Sequence, residues 1–198
     1  PVKDAKNKVN PFFGFFGLRY HPLTKTFGHF HGGLDLSGKA KTSVYPIADS
    51  VLEYAGFSVI NGNYVFLSHP KIETEDGYVM NSLYMHLKNY DVGFGRHQKM
   101  LRKISFNKYP NIKIPTDMKI GGLGSTGNTG GVHAHLHLQV EFRNEKGKII
   151  LIDPAQLIGV RAKNNLTKSI KSEKSYKELY KTKKSLILRH GLEKYWKI

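Results

Sequence analysis

Residues 132–138 read Val-His-Ala-His-Leu-His-Leu, a strict alternation of apolar residues and histidines. On a β-strand, residues two apart share a face, so His133, His135 and His137 are predicted to project to one side and the apolar residues to the other. Imidazole is the commonest metal ligand among protein side chains. The stretch therefore predicts a strand that buries one face and presents metal-binding chemistry on the other.

Short apolar runs, broken by Gly, Asn, Asp or Pro, continue on both sides of this strand from residue 11 to about residue 155. We predict further strands within residues 43–55, 63–68, 77–87, 119–123, 134–142 and 148–152. The Asn61-Gly62 pair is a strong turn signal just before one of them. Few segments keep a helical period for three turns, so the predicted fold is mainly β, with antiparallel strands.

Two segments differ from this pattern. Residues 90–117 are polar, basic and poorly periodic, which predicts a long surface insertion between two strands. Beyond residue 160, scattered apolar residues lie among many lysines, and about two short amphipathic helices are plausible there. We therefore expect one folded domain over residues 1–160 and a basic, helical tail over residues 161–198.

The composition is that of a globular protein. The 198 residues are 39% hydrophobic and 12% aromatic, which is enough for one domain with a hydrophobic core. Cysteine is absent, and this excludes disulfide bonds, thiolate metal sites and a cysteine nucleophile. No apolar run approaches the roughly 20 residues of a membrane-spanning helix. Residues 1–10 include neither a Met start nor an apolar signal core, so we expect a trimmed N terminus.

The formal net charge of +16 is concentrated towards the C terminus, where residues 161–198 contain twelve Lys or Arg and three Glu. Such a surface attracts polyanions, which include nucleic acid, anionic lipid headgroups and anionic wall polymers. No recognised nucleic-acid-binding motif is present, so specific nucleic-acid binding is not expected. A solvated basic face is the commoner meaning of such a charge run, and an anchor to an anionic wall polymer or membrane surface is the functional alternative.

A second group of candidate ligands lies in residues 29–35, His-Phe-His-Gly-Gly-Leu-Asp. In an extended chain His31 and Asp35 share a face, and the glycine pair between them lets the backbone bend so that both reach one ion. Two histidines and one aspartate would leave a fourth tetrahedral position for water, as catalytic zinc sites require. His29 and His133 each lie two residues from a candidate, so this pattern alone leaves the ligand set open.

His86 lies in a third segment, Leu83-Tyr84-Met85-His86-Leu87. Alone, a histidine in an apolar strand is more often a packed core residue. Together with the other two histidine clusters, it becomes a candidate catalytic group.

These motifs, in this order, resemble those of the M23 zinc peptidases of the LytM and lysostaphin type over about residues 16–154. The matching segments are Phe16–Pro22 (the family's FGxRxHP), His31–Asp35 (HxGxD), Val44–Val51 (VxAxxxGxV), Tyr84–Leu87 (YxHL) and Gly124–Gly130 followed by His135-Leu136-His137 (GxTGxxxGPHLHF). Five spaced motifs in the family's order make this a specific match.

The resemblance implies a β-sheet groove of the LytM/lysostaphin type that binds one zinc ion per chain through His31, Asp35 and His137. It implies that His86 and His135 are the paired catalytic histidines, one a general base and the other a stabiliser of the developing oxyanion, with the order of the two roles open. It also implies peptidoglycan stem or cross-bridge peptides as the substrate, and export to the periplasm or cell envelope or secretion.

Several positions extend or depart from the family pattern. Arg19 and His21 are expected to line the groove and contact substrate. Ala134 replaces the family's usual Pro, and Gln139 replaces a frequent Glu, although Gln139 shares the face of His137 and is expected to act as a hydrogen-bond partner behind the ligands. The alternative function is a non-catalytic LytM-like protein that binds the wall or activates another hydrolase. It is disfavoured because all three ligands and both histidines are present.

Overall fold

The computed structural model describes residues 1–2, 9, 14–21, 26–90 and 112–158. The strands in these residues are β1 (Gly17–Tyr20), β2 (Phe27–His31), β3 (Leu34–Ser37), β4 (Ser43–Val44), β5 (Ser50–Ser58), β6 (Gly62–Glu73), β7 (Val79–Leu87), β8 (Lys113–Ile114), β9 (Gly121–Gly122), β10 (His135–Arg143) and β11 (Ile149–Ile152). One short helix, α1 (Pro154–Leu157), follows β11 in this part of the chain.

The main sheet has seven strands, in the order β11-β10-β7-β6-β5-β8, and β3 pairs with β10 outside this path. Strand β10 is paired along both of its edges, because β7 pairs along most of one edge while β3 and β11 pair with successive halves of the other. Two small sheets, β1-β2 and β4-β9, accompany it. All these pairings are antiparallel, which confirms the predicted mainly β fold.

The alternation from His135 onwards separates core from site as the sequence predicts, but β10 begins at His135, so the prediction that His133 lies on the same strand was wrong. Leu136, Leu138, Val140 and Phe142 are fully buried in one hydrophobic core. Burial of each such side chain contributes about 1.5–3 kcal/mol. The opposite face of the same strand carries His135 and His137, so the core packing holds these histidines in place.

Two predictions concern residues that are largely outside this description. Residues 113–114, which we assigned to the insertion, pair with β5 as strand β8, and the side chain of Ile114 is buried. Residues 91–111 of that insertion and the basic tail over residues 161–198 lie outside the described residues, so both stay predictions. No helix among the described residues is long and apolar enough to cross a membrane.

Candidate metal centre

Three predicted ligands come together where β2, β3 and β10 meet. His31 is the last residue of β2, and Asp35 on β3 stands opposite His137 on β10. His137 Nδ1 lies 2.9 Å from Asp35 Oδ1 and 2.9 Å from His31 Nε2, and His31 Nε2 lies 3.2 Å from Asp35 Oδ1. One atom of each side chain therefore faces a common point.

This spacing fits a divalent metal ion. Tetrahedral zinc with bonds of about 2.0–2.1 Å separates its ligand atoms by about 3.3 Å, close to the three distances here. His31 Nδ1 donates a hydrogen bond to the Phe15 carbonyl oxygen at 2.9 Å, so Nε2 keeps its lone pair for a metal. A neutral imidazole lone pair and a carboxylate oxygen at such short range repel each other unless a cation or proton lies between them. The described residues hold one group of this kind, His31, Asp35 and His137.

The ionisation states of these ligands also suit a metal. Burial raises the pKa of Asp35, but the adjacent His137 and His31 outweigh that effect and leave its pKa well below the usual range. Burial lowers the pKa of His137, although the neighbouring Asp35 opposes this shift. Asp35 is thus a carboxylate and His137 a neutral imidazole at neutral pH, which are the forms that bind metal.

Gly33 leaves the space that the His137 ring occupies. A Cβ atom on Gly33 would lie 2.5 Å from His137 Nε2 and 2.5 Å from the Leu138 carbonyl oxygen, closer than real side chains approach. The neighbouring Gly32 differs, because a Cβ there would meet only Gln139 Oε1 at 3.5 Å and Leu151 Cδ1 at 3.6 Å. The close approach of the β2–β3 turn to β10 therefore requires glycine at position 33 alone.

A second pair of histidines lies beside the ligands. His86 and His135 are both buried, and their ring centroids are 5.0 Å apart. The centroid of the His86 ring is 6.1 Å from that of His137. His86 Nδ1 lies 2.9 Å from the Thr126 carbonyl oxygen, and His135 Nδ1 lies 2.9 Å from the His133 carbonyl oxygen. Each Nδ1–H donates a hydrogen bond to its carbonyl oxygen, so Nε2 carries no proton in the neutral ring.

A β-bulge sets the orientation of His86. Tyr84 pairs with Val65 and Leu87 with Asn63, so two residues of β7 stand opposite one residue of β6. His86 lies in this bulge with φ of 61°, a left-handed conformation that is uncommon outside glycine. Bulges next to active sites re-aim side chains. Burial, and next the nearby His135, lower the pKa of His86 to about 4, so its ring is neutral at neutral pH.

Thr126, in the loop after β9, stabilises the β7 bulge through hydrogen bonds to β6 and β7. The sequence analysis missed this role. Thr126 Oγ1 donates to the Leu87 carbonyl oxygen at 2.8 Å and accepts from the Asn63 backbone N–H at 2.9 Å. Its own carbonyl oxygen accepts a hydrogen bond from His86 Nδ1–H. One residue of the Gly124–Gly130 motif thus connects β6, β7 and the His86 ring.

The remaining predicted residues take different places. The side chains of His29 and His133 are exposed, and the His29 ring packs edge-on against His21 at 4.8 Å. Arg19 is buried and forms an ion pair with Asp35. Gln139 donates from Nε2 to Glu141 Oε2 at 3.2 Å, so its amide is directed to that carboxylate and not to His137.

All the predicted site residues except Gln139 line one cavity of about 680 Å³, a size typical of ligand sites. Arg19, His21 and His29 lie in its wall together with both buried histidines and the three ligands. Ile60 and Val132 also line it, and they are 71% and 40% exposed. The cavity therefore combines an imidazole-rich region with exposed apolar side chains.

Comparisons with known proteins found two curated relatives and solved structures of similar fold. No family model matches the chain. The peptidoglycan DD-endopeptidase ShyC of Vibrio cholerae serotype O1 is 25% identical over 162 residues, which are 82% of this chain and 32% of ShyC. An uncharacterized metalloprotease of Buchnera aphidicola subsp. Baizongia pistaciae is 31% identical over 117 residues, 59% of this chain and 25% of that protein.

The solved structure of LytU superposes with a TM-score of 0.51 at 16% identity, and the match covers 78% of this chain and 87% of LytU. At that identity the likeness shows the fold. The chain spans only about a third and a quarter of the two curated relatives that it matches. The resemblance to the M23 peptidases is confirmed.

Proposed function

We propose that this chain is a zinc-dependent endopeptidase that hydrolyses peptide bonds in the stem or cross-bridge peptides of bacterial peptidoglycan. The observation that carries the proposal is the convergence of His31 Nε2, Asp35 Oδ1 and His137 Nδ1 within 3.2 Å of one another. Similarity to a protein named as a peptidoglycan DD-endopeptidase, and to one named as a metalloprotease, supports the substrate and the chemistry.

In this proposal His31, Asp35 and His137 hold the zinc ion. When bound, zinc supplies a Lewis acid that polarises a substrate carbonyl and acidifies water. Two histidines and one carboxylate are a ligand set that catalytic zinc sites use. The ligands lie on three strands, so strand pairing fixes their positions.

His86 and His135 carry the proton transfers. Backbone carbonyls hold both rings by Nδ1, which leaves the two Nε2 atoms to act on the reacting groups. One ring accepts the proton of the attacking water and passes it to the leaving amine. The other ring, as an imidazolium, stabilises the developing oxyanion. The similar anchoring of the two rings does not assign these roles, but the lowered pKa of His86 favours His86 as the proton acceptor and His135 as the stabiliser.

The peptidoglycan substrate places the protein outside the cytoplasm, so we propose an exported protein of the periplasm or cell envelope, or a secreted one. The basic tail over residues 161–198 would then adhere to anionic wall polymers or membrane surfaces. That adhesion rests on the charge of the sequence alone.

A non-catalytic wall-binding or hydrolase-activating protein is the competing function. Such a protein does not need a complete ligand set or two anchored histidines. Both features occur together in this chain, so we prefer the enzyme.

The test compares three variants on purified sacculi, with fragments identified by mass spectrometry. We expect His31→Ala to lose both zinc and hydrolysis, because it removes a ligand. His135→Ala should keep one zinc per chain and lose turnover by at least about 100-fold, since general acid–base catalysis contributes that much. Lys146→Ala, an exposed residue outside the cavity, is the control and should match the wild type.

Sacculi with direct cross-links and sacculi with glycine bridges form separate arms, and the released fragments identify the bond. Normal hydrolysis by His135→Ala would refute the catalytic role. A wild-type protein that holds zinc but cleaves neither kind of sacculus would favour the non-catalytic alternative.

A further inference from the structure

The two carboxylate oxygens of Asp35 contact different partners, and Arg19 contacts one of them. Arg19 lies on β1 and is 8% exposed, and its Nη1 is 3.3 Å from Asp35 Oδ2. The other oxygen, Oδ1, faces His137 Nδ1 at 2.9 Å and His31 Nε2 at 3.2 Å. Oδ2 therefore contacts the Arg19 guanidinium, and Oδ1 contacts the two histidine ligands.

A buried guanidinium in this place is costly. The Arg19 Nε atom is buried and has no hydrogen-bond partner among the residues that the structure describes. A second cation close to a divalent metal also repels it. Neither packing nor metal affinity therefore accounts for a positive charge here.

The positive charge of Arg19 is explained if it controls how many oxygens of Asp35 bind the metal. A carboxylate binds a metal through one oxygen or through both. Binding through both would fill the position that a catalytic zinc site leaves open. Because Arg19 holds Oδ2 with a charge-assisted hydrogen bond, only Oδ1 is available to the metal.

We propose that Arg19 is a positioning residue that restricts Asp35 to one-oxygen coordination and so keeps a coordination position open for water and substrate. This inference rests on the proposed function, since it presumes a catalytic metal. It differs from the sequence prediction that Arg19 contacts substrate. It also differs from a purely structural role, in which the ion pair joins the β1-β2 sheet to the main sheet.

The test replaces zinc with cobalt(II), whose visible absorption is intense in four-coordinate sites and weak at higher coordination numbers. Arg19→Met removes both the charge and the donor at similar length, and Arg19→Gln is a second variant in case the first fails to fold. We expect both variants to lose the intense absorption. On a soluble cross-linked muropeptide, we expect kcat to fall by about 10- to 100-fold with an unchanged KM.

Arg143→Met is the control, because Arg143 forms an ion pair with Glu141 at 2.6 Å outside the cavity that holds the ligands. It should change neither the spectrum nor kcat. An unchanged spectrum in the Arg19 variants overturns the inference. In that case a raised KM indicates substrate contact, and a lowered melting temperature alone indicates a structural ion pair. A wild-type chain that binds no cobalt contradicts the metal site itself and hence the proposed function.

Discussion

Among single residues, Gly33 shows best why the ligand motif has its particular spacing. The sequence analysis assigned the glycine pair to backbone bending. Neither Gly32 nor Gly33 has a positive φ, so left-handed backbone is not the reason for glycine at these positions. Gly33 is needed because the His137 ring and the Leu138 carbonyl oxygen occupy the space of its side chain.

Replacement of Gly33 by alanine should therefore damage the metal centre. The added methyl group must displace the His137 ring or the β10 backbone, at a cost of about 1–3 kcal/mol in the free energy of unfolding. We expect Gly33→Ala to bind zinc at least about tenfold more weakly, because displacement of a ligand disrupts the site. Chelator competition measures the affinity, and chemical denaturation measures the stability.

Gly32→Ala is the control next to it, since a methyl group there makes only ordinary van der Waals contacts. It should change the stability by less than about 1 kcal/mol and leave zinc affinity unchanged. Equal effects of the two substitutions would mean that the tight approach at Gly33 is absent in solution.

Residue types could be predicted from the motifs, but ring orientations could not. Alternation placed His135 and His137 on one face of a strand, and the structure agrees. The partners that orient the rings are backbone carbonyls of Phe15, Thr126 and His133. Every residue has a carbonyl, so no residue type in the sequence marks these three.

Among the elements, the bulge in β7 depends on the loop that follows β9. Thr126→Val keeps the shape of the side chain but removes the hydroxyl that hydrogen-bonds to the Leu87 carbonyl oxygen and the Asn63 backbone N–H. Loss of these two bonds should cost about 1–3 kcal/mol. We expect His86 to lose its fixed position, so hydrolysis of sacculi should fall by about tenfold or more while zinc content stays at one per chain.

Ser125→Ala tests the same loop without touching the bulge, because Ser125 is exposed. It should behave as the wild type in both zinc content and hydrolysis. A Thr126→Val enzyme with normal turnover would show that the hydroxyl does not position His86.

Strands could be predicted where apolar residues alternate or follow one another over several positions, as in β6, β7, β10 and β11. Strands β1, β2 and β3 were not predicted as strands, because they are only four or five residues long and contain no Val, Ile or Thr. Their pairing with each other and with β10 supplies the extended structure that their own composition does not favour. The bulge in β7 was equally hidden, since it arises from register with β6.

In the whole molecule, the candidate centre exists because two sheets meet. The β1-β2 sheet carries Arg19 and His31, while the main sheet carries Asp35, His86 and His137. His31 and His137 are 106 positions apart, and no local pattern predicts such a contact. Only the resemblance to the M23 peptidases linked these residues before the structure did.

The most direct measurement is anomalous X-ray scattering above and below the zinc absorption edge, from crystals of the chain grown with one equivalent of zinc. We predict a single anomalous peak about 2.0–2.2 Å from each of His31 Nε2, Asp35 Oδ1 and His137 Nδ1. A peak held instead by His29 or His133, or no peak at the three predicted ligands, would contradict the account.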